Sequence, residues 1–341
     1  MKKQIFKIAI IALVVLMLVP TVLSACGKKT QELLGVDEPD SEKEIKIYAL
    51  SGTTALGMAQ MIDAAEKNTD DMNYQIALYS DPQVVANAVV SGECAIAALP
   101  TNLAAKLYKK SEEKVQLLAL NTLGVLYVLD TTGTVNTIAD LKGKTVYVPG
   151  SGSNPEYITL ALLNGAGLTV GTDVFVDTNT YSSPDALQGA LVAGQVEVAI
   201  LPEPKVSAVT ASAQNVKVAI DLTAEWEKLY GENTLVQGCL VINKDFADAN
   251  PAEVKKFLED YKASVDFISA GSDEAITMIV EAGILPKAAI AKKALPNCNI
   301  CCITGDAMKA AIGVFYEKIF ALDPTSIGGS LPNDGIYYIA K

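Results

Sequence analysis

The chain has 341 residues, half of them hydrophobic, and a formal net charge of −12 from 27 basic and 39 acidic side chains, with no histidine. Every basic residue is a lysine. The negative sign argues against a surface for nucleic acid or anionic lipid. Without His, the commonest general base and metal ligand are missing, and without Arg there is no bidentate fork for a carboxylate, sulfonate or phosphate.

Lys2, Lys3 and Lys7 open the chain, and residues 8–19 form an apolar run too short for a comfortable membrane span. "LSAC" follows, ending at Cys26, then Gly27. This stretch resembles the lipobox of bacterial lipoproteins, in which the Cys is lipidated and becomes the first mature residue. The expected division is a signal peptide over residues 1–25, then a lipidated Cys26 and a flexible tether over 26–42, whose end overlaps the aperiodic "GVDEPDSEKE" (35–44). Losing the three lysines of residues 1–25, which contain no acid, takes the charge from −12 to −15. The expected location is the extracytoplasmic face of the cell membrane, held by a lipid anchor.

Residues 45–62, "IKIYALSGTTALGMAQMI", predict a strand, a small-residue turn and an amphipathic helix. In "YSDPQVVANAVVSGECAIAALP" (79–100), Asp81 is the expected N-cap, Pro82 the first helical residue and Gly92 the helix stop. "CAIAAL" then suits a buried parallel strand that Pro100 ends. Residues 144–163, "KTVYVPGSGSNPEYITLALL", repeat the strand, turn and helix, with the helix beginning at Pro155. Their glycine-rich turn lacks the Gly-Lys-Ser/Thr ending of a phosphate loop and the last Gly of a dinucleotide fingerprint. What it keeps is backbone N–H groups at the positive end of a helix. "YSSPDALQGALVAGQVEVAILP" (181–202) aligns with 79–100 without a gap, from the shared Tyr, Ser and Pro to the closing Leu-Pro. The α/β alternation in both halves predicts two parallel-sheet lobes with helices on both faces.

Two further stretches carry a family resemblance. "IADLKGKTVYVPG" (138–150) is similar to the opening of the second lobe in type II periplasmic substrate-binding proteins. "GCLVINKDFADANPAEVKKFLEDYKASVDFI" (238–268) resembles the strand and long helix that return such chains to their first lobe. The nearest group is the nitrate, sulfonate, taurine and thiamine-precursor binders of ABC importers. The resemblance implies a two-lobed Venus-flytrap, each lobe a mostly parallel sheet flanked by helices, joined by a two-strand hinge. Lobe 1 would be residues 43–122 plus 239–341, lobe 2 residues 123–238, with crossings near Asn121 and Gln237 and the C-terminal helices on lobe 1. It also implies a monomer that closes on a small solute and delivers it to a membrane permease and ATPase complex. The alternative is a surface lipoprotein that senses or adheres through the same cleft.

Ligands of open parallel sheets bind beyond the carboxyl ends of the strands. The candidates are therefore Ser51, Gly52, Thr53, Thr54, Thr101 and Asn102 in lobe 1, and Gly150, Ser151, Gly152, Ser153, Asn154, Tyr181 and Glu203 in lobe 2, with Asn121 and Gln237 at the crossings. A cleft-facing Glu203 favours an aminopyrimidine or amine; a Glu203 that caps the helix after Pro204 does not. Tyr181 is placed to stack on a planar ligand, although its twin Tyr79 points to a shared packing role. Trp226, the one tryptophan, reads as packing. A sulfonate or nitrate-type oxyanion held by helix starts and hydroxyls is the second ligand class. No cofactor, metal or nucleic acid is expected. "CNICC" (298–302) reads as an apolar strand with Cys as a small hydrophobe, or as a redox-sensitive pair. Two enzymes of this general fold are set aside on composition: porphobilinogen deaminase relies on arginines, and the yeast-type pyrimidine synthases on His. A Cys nucleophile here would lack a base.

Overall fold

The computed structural model describes residues 38–339. The expected signal peptide, Cys26 and most of the tether lie outside them. Residues Ser41–Lys341 form one compact unit. Among the described residues, no helix is long and apolar enough to cross a membrane.

Among the described residues, eleven strands form two sheets. They are β1 (Glu44–Leu50), β2 (Asn73–Tyr79), β3 (Ile96–Pro100), β4 (Val115–Thr122), β5 (Leu126–Asp130), β6 (Thr145–Tyr147), β7 (Phe175–Asp177), β8 (Val198–Pro202), β9 (Lys217–Asp221), β10 (Gly238–Asn243) and β11 (Ile300–Ile303). The first sheet has the order β11-β4-β10-β3-β1-β2 and the second β7-β6-β8-β5-β9. Interior strands β3, β5 and β10 are buried almost throughout, as their unbroken apolar runs require. Strand β1 instead alternates, burying Ile45, Ile47 and Ala49 in one apolar core.

Each sheet is mostly parallel in strand direction, as the sequence led us to expect: β1 to β4 run together against β10 and β11, and β6 to β9 run together against β5. The directly hydrogen-bonded parallel neighbours are β2-β1-β3 and β7-β6-β8. The antiparallel strands follow from the path of the chain. It leaves the first sheet after β4 and returns to it with β10. A strand arriving from the other sheet enters at the carboxyl end of its neighbour, so it runs antiparallel to it. Gly238 at the start of β10 lies opposite Pro100 at the end of β3, and Leu126 at the start of β5 lies opposite Pro202 at the end of β8. Both crossings are therefore brought to the ends of the two duplicated Leu-Pro strands. They also touch each other: Gln237 N–H donates to the Thr122 carbonyl (3.0 Å), and Val125 N–H to Gln237 Oε1 (2.7 Å).

The duplication holds in local detail. Asp81 accepts from Gln83 N–H and Ser183 from Ala186 N–H, each followed by Pro at the start of its helix, Pro82–Ser91 and Pro184–Val192. Such a cap contributes about 1 kcal/mol. Gly92 and Gly194 both take positive φ after their helices (79° and 71°). Tyr79 packs on Tyr48 of β1 (4.8 Å between ring centroids), and its twin Tyr181 packs on Tyr147 of β6 (5.6 Å).

The C-terminal helix Gly305–Leu322 touches both halves rather than the first alone. Its Phe315 meets Trp226 of helix Leu222–Tyr230 (5.6 Å), and beyond its end Asp323 accepts from the Tyr157 hydroxyl (3.0 Å). Trp226 is fully buried and donates from Nε1 to Thr234 Oγ1 (3.0 Å), so it is a packing residue. "CNICC" places Cys301 and Cys302 in β11 and buries Cys298 just before it. All five cysteines among the described residues are free thiols. Burial raises the Cys301 thiol to about 12 and the Cys302 thiol to about 11.

Candidate ligand cleft

A cavity of about 340 Å³ opens where the strand ends and the crossings converge. That volume is at the low end for small-molecule sites. Its walls come from both halves: Thr53 and Thr54 after β1, Asn102, Leu103 and Lys106 of helix Thr101–Lys110, and Gly152 to Pro155 at the start of helix Asn154–Gly165. Pro82, Pro100 and Pro202 form apolar walls, and Thr122, Val125, Gln237 and Gly238 line it from the crossings.

The halves are pinned together beside this space. Asn102 Nδ2 donates to the Gly152 carbonyl (3.2 Å). Asn154 Nδ2 donates to both Thr101 Oγ1 and the Gln237 carbonyl (3.0 Å each). Thr101 donates its own proton to the Val236 carbonyl (2.8 Å), so its oxygen faces Asn154 as an acceptor. These partners fix both amides, since a flipped Asn154 would set two carbonyl oxygens against each other. Among the described residues, Asn154 Oδ1 is then left without a partner, as is Thr122 Oγ1, in residues only 4 % and 1 % exposed. Unpaired buried polar atoms are costly, and these two belong to residues that line the cavity.

Of the residues singled out from sequence, Thr53, Thr54, Asn102, Gly152, Ser153, Asn154 and Gln237 line the cavity. Thr101 and Asn121 support it from behind; Asn121 Nδ2 donates to the Thr54 carbonyl (3.0 Å). Ser51, Gly52, Gly150 and Ser151 belong to the turns and do not line it, and Tyr181 stays on Tyr147. Glu203 is also outside the lining. It is 3 % exposed and accepts from Ser207 N–H (3.0 Å) and the Ser207 hydroxyl (2.9 Å), so it caps its own helix Lys205–Ser212. Burial pushes its carboxyl above the usual range, against the lowering effect of Ser207, Asn297 and Lys293. Of the two places weighed for Glu203, cleft or helix cap, its bonds to Ser207 correspond to the cap.

The helix start at Gly152 also differs from the open anion cradle expected from "GSGSN". Glu156 Oε2 already takes the Gly152 N–H (2.5 Å), and the Ser153 hydroxyl turns back to the Gly150 carbonyl (2.6 Å). Sequence reading missed Glu156, although Ser153-x-x-Glu156 is the spacing by which a helix start recruits its own carboxylate. It also missed Lys106, the one charged side chain that lines the cavity among the described residues. Lys106 lies one helical turn after Asn102, on the same face. It makes no hydrogen bond or ion pair among the described residues. Burial lowers its ammonium below the usual lysine range; Asp323 opposes this and Lys110 adds to it. The helical spacing of Asn102 and Lys106 was the available signal.

Two mixed sheets, exchanged strands and a cavity at the crossings define the type II periplasmic binding protein fold. The sequence profile described as NMT1/THI5 like matches residues 69–275, and the chain belongs to that family. A crystal structure of an ABC transporter from Parabacteroides distasonis matches at 24% identity, with 89% of this chain and 100% of that chain covered and a TM-score of 0.74. The periplasmic aliphatic sulphonate binding protein SsuA from Escherichia coli matches at 17% identity, covering 88% and 94%, with a TM-score of 0.68. The ligand-binding component of an ABC-type import system from Staphylococcus aureus matches at 14%, covering 87% and 97%, with a TM-score of 0.67. No curated protein sequence matches the chain.

Proposed function

We propose that the chain is the extracytoplasmic solute-binding component of an ABC importer, a monomer without enzymatic activity that is held at the membrane face by lipid on Cys26. Residues 43–122 with 239–341 form one lobe and residues 123–238 the other. A small polar solute enters between them, closure buries it, and a membrane permease and its ATPase accept the closed form. The observation that carries this reading is the small cavity at the two chain crossings, bridged from both sides by Asn102 and Asn154. A site built on such crossings couples ligand contact to the relative position of the lobes. The likeness to proteins described as an ABC transporter, a periplasmic sulphonate binding protein and the ligand-binding component of an ABC-type import system supports the same direction.

The test is a thermal-shift screen of the chain from Gly27 onward, which retains the whole compact unit, against sulfonates, nitrate, aminopyrimidines, polyamines and amino acids. A ligand at about a hundred times its Kd adds roughly 2.7 kcal/mol of stability, a readily measured shift. One saturable hit is the expected result. Protein shown by mass spectrometry to be ligand-free and unmoved by every compound contradicts the proposal. Membrane fractionation of Cys26→Ser tests the anchor, since that variant must leave the membrane fraction.

A further inference from the structure

We propose that Glu203 of one lobe and residues 293–298 of the other form a closure latch outside the solute cavity, which holds while Glu203 carries a proton and loosens when it is ionised. This rests on the two-lobed, solute-binding reading and adds to it a proton-dependent control of closure.

The first argument is position. Glu203 stands just after β8 of the second sheet, whereas Lys293, Asn297 and Cys298 precede β11 of the first. Across this boundary Lys293 Nζ donates to Thr210 Oγ1 (2.6 Å) on helix Lys205–Ser212, the helix that Glu203 caps. Asn297 and Lys293 also act on the Glu203 carboxyl itself. None of these residues lines the cavity, so the contact is separate from the Asn102 and Asn154 bridges. It is still tied to the cavity wall. Pro202, the residue before Glu203, is part of that wall, and Glu203 N–H donates to the carbonyl of Val125, another part of it (2.9 Å).

The second argument is the cost of the buried charge. The titratable groups facing Glu203 are the Lys293 ammonium from helix Ala288–Ala294, the Cys298 thiol after the turn Leu295–Asn297, and the Tyr127 hydroxyl from β5. Burial raises both the thiol and the hydroxyl, so neither ionises where Glu203 does, and Cys298 Sγ is committed to the Ala294 carbonyl (3.2 Å). Lys293 serves Thr210 and forms no ion pair with Glu203 among the described residues. Ser207 on its own helix supplies two donors, and burial still outweighs every lowering influence on the carboxyl. An ionised Glu203 is therefore better solvated with the lobes apart. A carboxyl whose pKa is higher in the closed state than in the open one holds its proton more tightly on closure. Its contribution to closure is full below the open-state pKa and is lost as pH rises through the closed-state value.

The experiment is hydrogen–deuterium exchange, read by mass spectrometry, on the full solute-free chain in mild detergent from pH 5 to pH 8, with labelling times scaled to the intrinsic exchange rate. Protection of residues 204–212, 288–298 and the cleft segment 150–158 should fall together by about threefold or more as pH rises, while β1 and β3 stay constant. Glu203→Gln, similar in size and never charged, should keep all three segments protected at every pH. Asn297→Ala leaves the Ser207 cap untouched and should lower the protection of 204–212 and 150–158 already at pH 5, which a cap acting only within its own helix would not do. A pH response confined to 204–212, or one that survives in Glu203→Gln, overturns the latch. So does a loss shared by β1 and β3, which marks general unfolding. Each of these leaves the solute-binding reading standing, since the thermal-shift screen decides that reading separately.

Discussion

A methyl group added at Gly238 is the sharpest test of how the crossings are built. Its Cβ would lie 2.4 Å from Asn121 Oδ1, 3.0 Å from Thr122 Cβ and 3.1 Å from Thr122 Oγ1. The backbone angle there is ordinary, so the cost is steric. Asn121 cannot simply swing away, because its Nδ2 donates to the Thr54 carbonyl and losing that bond costs about 1 kcal/mol. Overpacking of a closed site costs about 1–3 kcal/mol, and Gly238→Ala should fall in that range. The assay is urea unfolding at matched slope. Removing the obstructing oxygen with Asn121→Ala should relieve the clash, so the double variant should be less destabilised than the sum of the singles by about 1 kcal/mol. Gly238→Ala within about 0.5 kcal/mol of the parent, with additive double-variant behaviour, would refute the close approach of β10 to the end of β4.

Glu203→Ala removes the acceptor for both Ser207 groups and should cost about 1–2 kcal/mol, while Glu203→Gln keeps one acceptor. Because burial raises the folded-state pKa of Glu203, its contribution to stability is full below the unfolded-state pKa and is lost as pH rises through the raised value. Urea unfolding from pH 4 to pH 8 should therefore show Glu203→Gln gaining on the parent as pH rises; a difference independent of pH contradicts the buried cap. Gly189 lies inside helix Pro184–Val192, and a Cβ there meets nothing within 4 Å. Gly189→Ala should stabilise the protein by about 0.5–1 kcal/mol in the same assay, and destabilisation would place that helix face in contact with something.

Much of the frame was legible because it is written in local chemistry. Asp81 and Ser183, each followed by Pro, fixed where two helices begin. Gly92 and Gly194 marked where those helices end, and the apolar runs closed by Pro100 and Pro202 are strands β3 and β8. Strand direction was harder to read. Strands β5 and β10 are apolar throughout, and nothing in such a run distinguishes parallel from antiparallel; direction follows from where the chain comes from. The helix after β1 is also less regular than its pattern suggests. It breaks at Gly57, where a Cβ would lie 2.6 Å from the Tyr261 hydroxyl, so the long helix Pro251–Ser269 packs where a side chain would otherwise stand.

The duplication was a good guide to backbone and a poor one to chemistry. After the shared Leu-Pro, one half continues Thr101-Asn102 and the other Glu203-Pro204. Asn102 reaches across the cavity to Gly152, whereas Glu203 folds back onto Ser207. Each lies within two residues of a strand's carboxyl end, and position alone treats them alike. What separates them is whether the side chain finds a partner within its own helix. Glu203 and Glu156 both do, and each is thereby withdrawn as a ligand contact while adding local negative charge. Lys106 and Asn154 Oδ1 do not, and both belong to residues that line the cavity. A residue's value as a ligand contact therefore depended on which hydrogen bonds the fold left unmade, and that requires the three-dimensional arrangement of both halves.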